Sequence, residues 1–272
     1  TFQLTYGLRA EGSSFSNPPA ANPALATAFG VRTAVLPSET HLSPRAGFSW
    51  TLGADEGGPP KWILRGGGGE FRSPMPLSLA STAQASTGLL NSESQIVCVG
   101  AGTPIPDWAA YAADPSSIPA SCQPGGPALE GIAPNAIVFA KDFQAARSWR
   151  SSLGMQRTLT PLVRLSVDGS YARGVSQTGF TDINLNTTPA FGLSNEGGRP
   201  VFVAPSQIDP ASGSMGFTGS RIDPAFGQVL QVNSNLASDS KQVTTSLGGI
   251  TRKGLIFSAA YTWTRTRDQL ST

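Results

Sequence analysis

Apolar and polar residues alternate with a period of two in seven segments of the chain, which is the pattern of half-buried β-strands. These segments are 2–9, 45–52, 61–71, 149–156, 162–171, 242–251 and 254–267. The clearest segment places Leu255, Phe257 and Tyr261 on one face and Ser258 on the other. In the third segment the faces cannot be followed through the glycine run 66–69. The pattern predicts an all-β protein with about seven strands.

Helical periodicity is weak along the whole chain. The best candidate is 106–113, where Trp108 and Tyr111 are three residues apart, and it predicts one or two helical turns. Elsewhere the 31 glycines and 22 prolines are too frequent for long helices. Because no run of 18 or more apolar residues occurs, the sequence excludes a transmembrane helix.

The connections between the seven segments alternate between long and short. The long connections are 10–44, 72–148 and 172–241, and the short ones contain only a few residues. Loops of this length are uncommon in soluble domains. Outer-membrane β-barrels combine long extracellular loops with short periplasmic turns. We therefore expect an antiparallel, up-and-down transmembrane β-barrel segment in a bacterial outer membrane, in contact with its lipid.

Aromatic residues occupy the apolar phase of the predicted strands. Trp50 and Trp62 flank one short turn. The others are expected near the long loops: Tyr6, Trp149, Tyr171, Tyr261 and Trp263. Rings at both ends of the strands are typical of membrane interfaces, so we predict two aromatic belts. The alternative is a soluble, secreted β-sandwich whose core these aromatics would fill.

The polar phase carries charged residues, which fits a wet lumen or a wall that faces a plug. Arg45, Arg164 and Asp168 are the lumen-facing candidates. Arg164 and Asp168 share one face and could form an ion pair, although simple solvation of both charges is the alternative. The sequence pattern does not decide between them.

The composition leaves little room for catalysis or for nucleic-acid binding. The net charge is only +2, whereas a nucleic-acid partner usually needs a clustered basic face. His41 is the one histidine, and no serine-nucleophile motif accompanies it. The glycine run 66–69 lacks the lysine of a phosphate-binding loop and fits a curved strand end better. We expect no enzyme activity, no catalytic residue, no metal site and no cofactor.

The two cysteines, Cys98 and Cys122, both lie in the longest loop, with Trp108 and Tyr111 between them. Two cysteines in one exposed loop usually pair in an oxidising compartment, so we predict a disulfide. The alternatives are two free thiols or a cysteine metal site, which would lack further ligands.

Several short motifs resemble the barrel of TonB-dependent outer-membrane receptors of the Oar-like group. Residues 42–50 read LSPRAGFSW and residues 64–71 read LRGGGGEF, which is similar to the family's LSPR-x-G-F and LRGGYG-x-F hairpin. Residues 257–265, FSAAYTWTR, are similar to FSASYTYSR. Further matches occur in the same order along the chain, at 149–157, 171–175, 181–184 and 198–200.

The resemblance implies a barrel of about twenty-two strands filled by a plug domain, preceded by a carboxypeptidase-regulatory-like domain. It also implies energised uptake of an unknown small ligand through TonB, with ligand contacts in the extracellular loops, where Trp108 and Tyr111 are our candidates. The sequence shows no plug, signal peptide or TonB box, and closed bacterial barrels have even strand numbers. We therefore expect 1–272 to be part of a larger barrel domain. A passive structural or adhesive barrel is the alternative function.

Overall fold

The computed structural model describes residues 1–53, 60–90, 97–98, 100–119, 121–124, 128–129, 133–211, 213, 215 and 219–269. The described strands are β1 (Phe2–Ser13), β2 (Glu39–Leu52), β3 (Trp62–Arg72), β4 (Val97–Cys98), β5 (Ala128–Leu129), β6 (Ala136–Phe139), β7 (Arg147–Thr160), β8 (Val163–Asp182), β9 (Phe191–Leu193), β10 (Arg199–Val201), β11 (Val229–Ile250) and β12 (Ile256–Asp268). The described α-helices are α1 (Pro23–Phe29), α2 (Leu77–Ala85) and α3 (Trp108–Ala113).

Seven long strands form one antiparallel sheet in the order β1-β2-β3-β7-β8-β11-β12. Each strand pairs with the next long strand along the chain, so the predicted up-and-down topology and all seven predicted strands are confirmed. Strand β6 adds a short parallel pairing beside the start of β11. Within the described residues β1 and β12 each pair on one side only, and the sheet is an open segment of a barrel.

The strands extend further toward the long loops than the alternation predicts. Strand β8 continues to Asp182 and β11 begins at Val229, whereas the predicted segments end at 171 and begin at 242. The predicted loop bounds were therefore too wide, and the connections are 14–38, 73–146 and 183–228. At this end both faces of the strands carry polar residues and glycines, so the period of two disappears from the sequence although the backbone pairing continues.

The pairing register separates the two phases of the sheet into two faces. One cross-strand row joins apolar and small residues of six neighbouring strands: Phe48, Gly66, Leu153, Gly169, Val243 and Trp263. The side chains of this face are open, with Leu153 61% exposed. The residues next to them along each strand, such as Ser49 and Ser152, therefore lie on the opposite, polar face.

The sheet curls around its polar face. A cavity of about 510 Å³ is lined by Gln3 of β1 and also by Gln242 of β11. These strands are five positions apart in the sheet, which in a flat sheet corresponds to about 24 Å. A cavity of this size reaches both residues only because the sheet is strongly curved. The polar face is thus the concave, lumen side, and the apolar face is convex and uncovered, which makes the β-sandwich alternative wrong.

The buried apolar residues lie among the loops and at the loop-side end of the sheet. One cluster combines Met75, Ala80, Phe139, Phe143 and Val232. A second cluster combines Leu25, Ala136, Val138, Phe226 and Val229. Segments of all three long connections meet in these clusters, and we call 14–38, 73–90, 133–146 and 219–228 together the loop lobe. The long connections are therefore packed against one another, which the sequence did not predict.

The glycine run lies inside β3, so its assignment to a strand end was wrong. Strand β3 is paired to β2 and β7 along the run, and these two ladders hold the backbone extended. A methyl group at Gly66 would lie 2.8 Å from Cε1 of Phe48, and one at Gly69 would lie 2.7 Å from Cγ of Arg45. The glycines therefore leave room for large side chains of β2 to lie across β3.

Candidate functional site

The middle of the concave wall carries an ion pair that crosses three strands. Arg65 Nη2 donates to Asp168 Oδ1 at 2.9 Å. Gly154 is the register partner of both residues and lies between them. A methyl group at Gly154 would lie 2.5 Å from Asp168 Oδ1, so glycine is what allows the two side chains to meet over β7.

Of the two possibilities left open by the sequence, an ion pair between Arg164 and Asp168 is not seen in the structure, where Asp168 pairs with Arg65. Arg164 and Asp168 are four positions apart on one strand, which is about 13 Å of extended chain. Arg65 reaches the carboxylate across the sheet instead, because it lies in the same cross-strand row. Arg164 lies on the same face as Asp168, beside another cavity of about 500 Å³ near the short turns.

The loop-side end of the wall is strongly basic. Arg45 and Arg150 are register partners of Gly69 from its two sides, and both guanidinium groups lie over the ring of Phe71. A cavity of about 920 Å³ opens beside them. Arg45 thus lies on the polar, concave face, and its contact with Phe71 was not foreseen from the sequence.

All seven candidate interface aromatics lie on the convex, apolar face. The set comprises Tyr6, Trp50, Trp62, Trp149, Tyr171, Tyr261 and Trp263. Two of their rings carry a cation: Arg157 lies 4.6 Å from the ring centroid of Trp62, and Lys241 lies 5.6 Å from that of Tyr171. Paired rings and cations suit a lipid headgroup region, and placement in two belts at the membrane interfaces stays a prediction.

Asn184 organises the third connection, and its role was missed from the sequence. Its side chain is fully buried, and its amide nitrogen donates to the carbonyls of Asp223, Phe226 and Gly227 at 2.8–3.0 Å. Its amide oxygen accepts from the Asp223 N–H at 2.8 Å. Nearby, the Asp182 carboxylate pairs with Arg221 and accepts from the Val229 N–H. Residues 181–184, which read TDIN, are therefore a structural hub of the loops.

The disulfide segment (97–124) contains the predicted Cys98–Cys122 bond, with an S–S distance of 2.02 Å. The structure thus confirms the pairing and excludes the two alternatives. Within the segment the rings of Trp108 and Tyr111 form an edge contact, with centroids 5.9 Å apart. Trp108 is 74% exposed, so most of its ring is accessible to solvent.

Short helical turns give the disulfide segment its shape. The Asp107 carboxylate accepts from the Ala110 N–H and caps α3. The Asp114 carboxylate accepts from the backbone and the hydroxyl of Ser116, and these bonds hold the pKa of Asp114 below its ordinary value. The Asp107 cap stabilises the helix that carries Trp108, and the Asp114 cap stabilises the turn Pro115–Ser117 that follows it.

The double substitution C98S/C122S removes the disulfide. We expect it to lower the free energy that stabilises the ordered segment by about 3 kcal/mol, because the bond joins residues 24 positions apart. The check is limited proteolysis of the full-length protein in its membrane, where we expect faster cleavage between 98 and 122. S121A, at an exposed neighbouring position, is the control. Equal cleavage of C98S/C122S and S121A would show that the disulfide does not order the segment.

None of the described helices is long and apolar enough to cross a bilayer.

A curved antiparallel sheet with a polar concave face, an open apolar convex face and long loops at one end defines an outer-membrane β-barrel wall. The comparison with protein families agrees, because the family described as "Outer membrane beta barrel domain" matches residues 5–272. The chain belongs to this family and is located in the bacterial outer membrane. No curated protein sequence matches it.

Among solved structures, the chain is similar to the outer membrane transporter YddB from Escherichia coli. The TM-score is 0.46 at 11% sequence identity, over 86% of this chain and 21% of that chain. The chain thus spans 21% of the length of that transporter.

Proposed function

We propose that the protein containing this chain is a TonB-dependent outer-membrane receptor that takes up a small ligand with energy from TonB. This chain supplies part of the barrel wall and three extracellular loops. A plug domain elsewhere in the protein fills the lumen, and the chain itself carries out no catalysis. The hairpin and strand motifs that resemble the Oar-like group support this assignment.

The observation that carries the proposal is the combination of a polar concave wall with a packed loop lobe above it. A passive pore needs only the wet wall, whereas a receptor also needs ordered loops that hold a ligand before it enters. Here the three long connections share two apolar clusters with the loop-side end of β11. We propose that the exposed Trp108, with Tyr111 beside it, makes the first contact with the ligand at the outer surface.

The proposal is tested by binding of the full-length protein to the purified periplasmic domain of TonB. We expect the detergent-solubilised protein to be retained on immobilised TonB, and a peptide with a TonB-box sequence to release it. A full-length protein that is never retained, and that supports the same uptake in cells with and without TonB, would instead be a passive structural or adhesive barrel.

A further inference from the structure

The loop-side end of the concave wall holds two arginines over one aromatic ring. The Cζ atoms of Arg45 and Arg150 lie 4.3 Å and 5.2 Å from the ring centroid of Phe71. Gly69 separates the two arginines in the cross-strand row and has no side chain to keep them apart. We call Arg45, Phe71 and Arg150 the arginine clamp.

Neither arginine of the clamp has a carboxylate partner among the described residues. Arg45 Nε donates to the backbone carbonyl of Glu70, and Arg150 Nε donates to the hydroxyl of Ser148 at 2.9 Å. These bonds orient the guanidinium groups through Nε. The η nitrogens of both side chains have no partner in the described part of the chain, so they can bind an incoming acceptor.

The carboxylate of Glu70, the residue before Phe71, is already engaged by other arginines. Glu70 is 4% exposed, and its two oxygens face Arg72 at 2.5 Å and Arg147 at 3.9 Å. Within the described residues, buried nitrogens of Arg72 and Arg147 still have no hydrogen-bond acceptor. One carboxylate therefore serves two arginines, and the clamp adds two further positive charges, neither of which pairs with a carboxylate of the described residues.

The clamp lines a cavity large enough for a small molecule. Its volume is about 920 Å³, and Arg45, Arg72, Arg147 and Arg150 all line it. Ser152, Ser170 and other hydroxyls contribute neutral hydrogen-bonding groups to the same wall. Asp239 also lines the cavity, and the register places it between Arg173 and Arg267 on neighbouring strands. The lining thus combines surplus guanidinium groups with hydroxyls, which suits an anionic, polar ligand.

We propose that the arginine clamp binds an oxyanion group, carboxylate or phosphate, of the ligand as it passes from the loops into the lumen. This inference rests on the proposed function and names the substrate class for it. Guanidinium groups bind planar or tetrahedral oxyanions through paired N–H donors, which makes arginine the usual residue for this task. The ring of Phe71 holds both groups in place, so less side-chain freedom is lost when the anion binds.

The test is calorimetric titration of the detergent-solubilised, full-length protein with citrate and, separately, with pyrophosphate at low ionic strength. We expect at least one of the two probes to bind. R45Q and R150Q should each weaken binding about tenfold, because each removes charged hydrogen bonds. F71L keeps both charges but removes the aromatic ring beneath the two guanidinium groups, and we expect the affinity for the probe to fall about fivefold.

R164Q is the matched control, because it removes the same charge from the same face of the wall at a different cavity. Binding of citrate alone would assign a carboxylate, and binding of pyrophosphate alone a phosphate. The proposal is overturned if neither probe binds, or if R45Q/R150Q and R164Q bind the probes equally well. It is also overturned if R45Q/R150Q leaves probe binding intact and only releases the plug domain. Retention of the same variants on immobilised TonB distinguishes this proposal from the proposed function. A variant that is retained on TonB but binds neither probe would contradict only the role of the arginine clamp.

Discussion

Replacement of Asn184 by alanine is expected to disorder the third connection while leaving the barrel wall intact. The wild-type side chain is fully buried; its two amide hydrogens are shared among three carbonyl groups of residues 223–227, and its oxygen accepts from one N–H group. Alanine cannot bond any of them, and each buried group without a partner costs about 1–3 kcal/mol. Together these groups are expected to lower the free energy of unfolding of this region by about 3 kcal/mol or more, which is a large part of the stability of an ordinary domain.

The measurement for N184A is hydrogen exchange of the full-length protein in its membrane. We expect the amides of Ile222, Asp223 and Gly227 to exchange faster, because their hydrogen bonds link the chain around Asn184. N186A is the matched control, since Asn186 has the same chemistry two residues later but lies in an exposed setting. If N184A and N186A exchange alike, the hub assigned to Asn184 does not exist.

The strands were predictable because one face of each is apolar and the other polar over the part that crosses the membrane. The same rule fails beyond that part. In the last third of β8, polar residues and glycines occupy both faces, so nothing in the sequence marks where the strand ends. Pairing with β11 as far as Asp182 extends it instead, and such pairing depends on residues about fifty positions away.

The loop lobe was not predictable for a related reason. Its clusters join Leu25, Ala80 and Phe226 with the end of β11, so each connection contributes only a few apolar residues. No single stretch shows the periodicity of a core element. The helices α1 and α2 are equally hidden, because they are short and are held by contacts such as the bond from Asn22 to the Thr87 carbonyl.

The contacts on the concave face show that the sequence can predict which face a side chain lies on, but not which residue it contacts. The alternation separates Arg45, Arg164 and Asp168 from the aromatic residues, and the register of the structure has the same separation, because facing depends only on the period of two. The cross-strand partner of a side chain depends on the register in which neighbouring strands pair, and that register became known only from the structure. Arg65 reaches Asp168 across Gly154. Arg45 and Arg150 flank Gly69 in the cross-strand row, and both lie over the ring of Phe71. The glycines that obscured the pattern in β3 thus make the cross-strand contacts possible.

Leu153→Arg is expected to destabilise the folded barrel by about 2–4 kcal/mol, the cost of an arginine on the lipid face near the bilayer midplane. Leu153 lies in the middle of β7, and its side chain is 61% exposed on the convex face. Ser152→Arg is the matched control, because Ser152 is the adjacent residue and lines the wet cavities of the concave face. The measurement is denaturant unfolding of the full-length protein in lipid vesicles, read by heat-modifiable gel migration. A lipid-facing Leu153 requires a large loss for L153R and a small one for S152R, whereas the reverse order would mean that the apolar face encloses the lumen.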